Sequence, residues 1–128
     1  MRSSLLQRAT MMLAAGAVVF GLSQTARAHH GWAGYSDKEF EITGTVEVPV
    51  SMAGAHATMK VRSGDQVWNL TLAPPARTKA AGLTEKTLPV GAAVTVHGHR
   101  HVDAKNFEIK TERITFNGKV YNVYPDRT

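Results

Sequence analysis

There is no cysteine anywhere in this sequence of 128 residues. That absence excludes a disulfide framework, a thiolate nucleophile, a zinc ribbon and an iron–sulfur cluster. No glycine-rich loop leads into a helical segment, so a phosphate-cradling nucleotide site has no support. Ser51 and Ser63 fall near turns, outside any Gly-x-Ser-x-Gly setting that would make a serine nucleophile. The acids are scattered over polar strand faces, which does not suit paired carboxylates for hydrolysis. No apolar run reaches the roughly 18–20 residues needed to cross a bilayer. With 43% hydrophobic and 20% charged residues the composition is that of an ordinary folded chain. One compact domain is the ceiling for this length.

What is present first is a leader. Arg2 and Arg8 stand in a start without acids, Met11–Leu22 is uninterruptedly apolar, and Ala26-Arg27-Ala28 is a small-x-small cleavage site. These are the three parts of a secretory signal peptide. The expected division is a cleaved signal over 1–28 and a single domain over 29–128, with no membrane span after cleavage and a periplasmic location. Cleavage removes Arg2, Arg8 and Arg27 and no acid, so the formal charge falls from +5 to +2. A nucleic-acid partner therefore has no electrostatic footprint to rest on.

The remainder reads as short strands. Phe40, Ile42, Val46, Val48 and Val50 alternate with polar residues, which predicts one half-buried strand over 40–50. Ala55, Ala57, Met59 and Val61 repeat the pattern, and Ser63–Gln66 turns the chain back into Val67–Leu72 with Trp68 inward. Pro75 suits the first turn of a short helix over 76–81, with Gly82 as its stop. A further strand covers Ala92–His101. The apolar parity after Phe107, Ile109 and Thr111 shifts to Ile114 and Phe116, which predicts a bulge near Glu112. Asn117-Gly118 predicts a type I′ hairpin into a last strand over 119–124. Five or six strands with one helix between the third and fourth describe a mainly all-β fold, a small OB-like barrel. The alternative is a two-sheet β-sandwich.

Histidine carries the only concentrated chemistry. All six histidines lie beyond the leader, at His29, His30, His56, His97, His99 and His101. Cleavage after Ala28 would make His29 the N-terminal residue, whose α-amine and imidazole can chelate one metal ion. An α-amine, which ordinarily titrates near pH ~8, gives up its proton to a metal at neutral pH without much cost. One further imidazole completes a three-nitrogen T that suits the tetragonal preference of Cu(II). His30 can supply its amide or its imidazole. His97, His99 and His101 stand at i, i+2 and i+4, on one face of a regular strand, about 6.5–7 Å between neighbours. The plainer alternative for His97 and His99 is a solvated polar face, and for His56 a loop-edge histidine among small residues. Met52 and Met59 can serve as soft Cu(I) ligands and Trp68 can stack on that ion, but periodicity places Met59 and Trp68 in the core.

The order of these pieces resembles a known family. His29-His30-Gly31-Trp32, Ile42-Thr43-Gly44-Thr45-Val46, His56, Trp68 and Leu72-Ala73-Pro74-Pro75-Ala76-Arg77 are followed by Ala81-Gly82-Leu83, Val90-Gly91, Val94-Thr95-Val96-His97-Gly98 and Glu112-Arg113-Ile114-Thr115. This succession resembles an uncharacterised family of small exported bacterial proteins, a domain of unknown function whose mature chains begin His-His. The resemblance implies a periplasmic β-barrel. It singles out His29, His30, His56 and His101, with His99 an extra of this chain. The family's Asn-Pro-His and Gly-Tyr-Pro-His elements read Ala-Gly-Ala-His at 53–56 and Gly-His-Arg-His at 98–101.

The expected function is therefore copper binding by the amine and imidazole of His29 with His56 or His101 as a further ligand, Cu(II) favoured and zinc a possible substitute, for sequestration or for delivery to an efflux or maturation partner. The rival is a periplasmic interaction module that binds a protein or glycan without metal. An enzyme is not expected, since a histidine-brace oxygenase needs a substrate platform that about 100 residues barely supply.

Overall fold

The computed structural model describes residues 31–127. Of the unit Met1–Ala33 this includes a turn at 31–33; the unit Gly34–Thr128 holds the fold. Its elements are β1 (Phe40–Ser51), β2 (Thr58–Ser63), β3 (Gln66–Thr71), α1 (Pro75–Ala80), β4 (Ala93–Arg100), β5 (Glu108–Phe116), β6 (Lys119–Asn122) and a 3-10 turn at Pro125–Arg127. The sheet runs β3-β2-β1-β4-β5-β6, and a parallel pairing of β3 with β5 closes it. The result is a closed five-stranded barrel with β6 added outside the ring. Among the described residues, α1 is the one α-helix. The OB-like reading holds and the sandwich does not, because Asn69–Thr71 of β3 pairs with Glu108–Lys110 of β5 and leaves no second sheet among the described residues.

Local chemistry accounts for the corners. Asn117 and Gly118 both take positive φ, 50° and 76°, as a type I′ hairpin requires. Pro75 opens α1, Gly82 follows it with φ 97°, and the buried Thr78 hydroxyl donates to Ala73 O at 2.8 Å. Leu70, Leu72, Leu83, Leu88, Ile109 and Ile114 fill the interior with at most 1% exposure. Each contributes about 1.5–3 kcal/mol by burial.

Two irregularities decide which side chains face outward. In β1 the register against β2 slips between Val46 and Val48 and again between Val48 and Ser51. Val46 and Val50 stay inside at 2% and 3% exposure, while Val48 turns out at 43%. The expectation that Val48 shares the buried face is corrected by these slips, because each extra residue reverses the pleat. In β5 the residue opposite His97 is Arg113 and the residue opposite Gly98 is Thr111. Glu112 is thus the unpaired bulge residue, where the parity shift predicted it.

Gly98 lies across from that bulge. A Cβ there would come within 2.2 Å of Lys110 O and 2.9 Å of Ile109 Cγ2, so the two strands meet only because this position has no side chain.

Candidate functional site

His29 and His30 lie outside the described residues. His56 sits half-buried in the loop between β1 and β2. The other three histidines run along and just past β4, and each has a partner of its own.

His97 faces Glu41 directly across from it on β1, and its Nε2 pairs with the Glu41 carboxylate. Its Nδ1 is buried without a hydrogen bond. His99 is 8% exposed. Its Nδ1–H donates to Ser36 O at 2.7 Å, and its Nε2 lies 2.6 Å from Glu112 Oε1. The bulge turns the Glu112 carboxylate to this outer side of the sheet, where it is 2% exposed. Arg113 Nη1 at 3.5 Å and Arg127 Nε at 3.7 Å complete a cationic surround for it. Arg113 also bonds Glu39 at 2.8 Å. His101, in an isolated bridge with Tyr35, accepts the Asp103 N–H at Nδ1, 3.0 Å away. Its ring meets Tyr35 edge-on at 5.7 Å.

These bonds bear on metal chemistry. A ligating imidazole presents one bare nitrogen and donates its other N–H to an outer partner. His101 does the reverse at Nδ1, so its neutral ring carries the proton at Nε2. His99 has both nitrogens engaged. Among the described residues, no three of His, Asp and Glu come together in a way that would hold a metal ion. The i, i+2, i+4 spacing puts His97 and His99 on one face, but the strands opposite give each a separate carboxylate.

Beside this row lies a second polar cluster. The Tyr35 hydroxyl donates to Glu108 Oε1, and Thr71 Oγ1 donates to the same oxygen at 3.1 Å. Burial, then the Glu108 carboxylate, push the Tyr35 phenol up to about 12. Lys110 is 5% exposed, its Nζ 5.9 Å from the Tyr35 ring centre and 6.0 Å from that of Tyr124. Burial and the nearby Arg127 charge lower its pKa. Sequence reasoning placed these acids on bland polar faces. The signal that pointed here was the parity shift at Glu112: an extra residue in a strand must put its side chain somewhere.

At the barrel's end a third group forms. The Arg100 guanidinium carbon lies 4.9 Å from the Trp68 ring centre, 5.6 Å from Phe40 and 5.7 Å from Phe107. Trp68 and Met59 are core residues, as their periodicity predicted, at 7% and 2% exposure. Phe107 precedes β5 instead of lying in it, and is 37% exposed.

Comparison with known proteins gives a family and a fold. The family described as "Family of unknown function (DUF6152)" matches residues 17–110. No curated protein matches the chain. Among solved structures, the crystal structure of the ZRD-deleted mutant of TiaS in complex with agmatine is similar with a TM-score of 0.52 at 16% identity. The likeness covers 67% of this chain and 26% of that one. At that identity it speaks for the fold alone, and this chain spans about a quarter of the other's length.

Proposed function

Since the chain belongs to the family of unknown function DUF6152, which brings no activity with it, we propose from its own residues that it is an exported copper-binding protein with its metal at the mature N-terminus. The observation that carries this reading is the sequence Ala26-Arg27-Ala28 followed directly by His29-His30. Cleavage after Ala28 frees an α-amine on a histidine. That amine, the His29 imidazole, and the amide or imidazole of His30 form a compact nitrogen set of the kind tetragonal Cu(II) favours. The engagement of His97, His99 and His101 in bonds of the fold supports assigning the metal to the terminal pair. The role is sequestration in the periplasm or delivery to an efflux or maturation partner.

The test is Cu(II) titration of the chain beginning at His29 beside the same chain acetylated on its α-amine. Acetylation is the right control. An added residue would place His30 third in the chain and so create a different amine–amide–imidazole chelate. One-to-one binding by the free chain, weakened at least a hundredfold by acetylation, is the expected result. Equal binding by both would overturn the terminal site. Tighter binding of Zn(II) than of Cu(II) in competition would overturn the choice of metal. No binding by either chain would leave the metal-free interaction module as the better reading.

A further inference from the structure

Arg100 is a cation in an unusual setting. Its guanidinium is surrounded by the rings of Phe40, Trp68 and Phe107 at the end of the barrel. Trp68 touches both phenylalanines, with ring centres 5.2 Å and 5.3 Å apart, so the three rings form one wall. Arg100 has five N–H donors. Among the described residues its one hydrogen bond runs from Nη2 to Ala104 O at 3.1 Å, and Nε is buried with no partner. Among the described residues no carboxylate pairs with it.

Ring faces offset part of the cost of holding a cation away from water. They do not satisfy its N–H groups, and a neutral carbonyl does not balance its charge. Arg113 on the neighbouring strand differs, because Glu39 and Glu112 both pair with it. Arg100 is only half-buried and Phe107 is 37% exposed, so the group stands open to small molecules. A cationic ligand would be repelled, since Arg100 already fills the aromatic wall. A planar anion meets the fork of a guanidinium with two parallel hydrogen bonds, and a flat body on that anion finds an aromatic face at Phe107. Barrel mouths are common places for such ligands.

We propose that this end of the barrel binds a small organic carboxylate with a planar or aromatic body, Arg100 taking the carboxylate and Phe107 the ring. The inference is independent of the copper reading: it uses none of the histidines.

Benzoate and its neutral counterpart benzamide are the probes, followed by the backbone amide NMR spectrum of the purified protein. The expected result is a saturable shift of the Arg100, Ala104 and Phe107 amides by benzoate, with a Kd on the order of 1 mM, and none by benzamide. Arg100→Met, which keeps the apolar packing, should weaken benzoate binding at least tenfold. Its own amide spectrum reports whether it is folded. Equal shifts by the two probes would overturn the proposal, as would shifts confined to other parts of the barrel. So would no shift at about 50 mM benzoate, well above that Kd, or undiminished binding by folded Arg100→Met.

Discussion

Glu112 and Tyr35 are ionisable groups held against the sheet by different kinds of partner. Glu112 is surrounded by His99, Arg113 and Arg127. Removing it by Glu112→Ala takes away the carboxylate that His99 Nε2, Arg113 and Arg127 share. Urea unfolding should show a loss of about 3 kcal/mol, the usual scale for breaking a buried charge pair from one side. Tyr35 is held neutral. Its folded pKa of about 12 lies above the ordinary phenol value of 10.0. Its contribution to stability is therefore complete below pH 10 and is lost as the pH rises through 12, because the folded state keeps a proton that the unfolded chain has released. A phenolate absorbance titration should show an ionisation near pH 12 that Tyr35→Phe lacks. The same variant should show a shallower loss of stability than the parent between pH 10 and 12.

Among the elements, β4 and β5 carry most of the interest. Gly98→Ala would drive a Cβ to within 2.2 Å of the backbone oxygen of Lys110. A backbone obstacle cannot rotate aside, so the expected cost is about 3 kcal/mol in urea unfolding, at the upper end for overpacking. The Gly98→Ala variant should also lose amide protection around Thr111 and Glu112 first. Much of these strands was legible beforehand. The Asn117-Gly118 turn announces itself because positive φ is a local demand, and the Glu112 bulge shows as a parity shift within one strand. Val48 was not legible, since the slips that expose it exist only relative to β2. The histidine partners were hidden for the same reason. Ser36 is 63 positions from His99, and no periodicity within β4 could reveal that its carbonyl takes the Nδ1 proton. The aromatic surround of Arg100 likewise draws on β1, β3, β4 and the segment before β5. His29 and His30 are legible in the opposite sense: the copper chemistry proposed for them rests on the cleavage proposed after Ala28.

For the whole molecule, closure is the slow step to arrange. β1 pairs with β4, and β3 with β5, across long stretches of chain. Loop closure must precede such contacts, so refolding should fall in the millisecond-to-second range by stopped-flow fluorescence. The Asn69 amide, bonded to Phe107 O at 2.9 Å across the closing seam, should exchange only with global unfolding. At the other extreme, Arg77 lies 5.2 Å from the Tyr124 ring centre and 3.7 Å from Asp126. Both contacts are at the surface, so Arg77→Ala should lower stability by less than about 1 kcal/mol in urea unfolding.

The bulge at Glu112 has a consequence for comparing related chains. It acts as a phase marker: the half of β5 before it meets β3, and the half after it meets β6. A relative that lacks Glu112 would set Arg113 directly after Thr111, opposite His97 and Gly98, so both halves would keep their faces in an unbroken ladder. Such a relative would lose the carboxylate beside His99 and keep the facing of every other residue in the strand. Deletions at this position should therefore appear with the apolar order of the last two strands unchanged and with loss of the histidine at position 99.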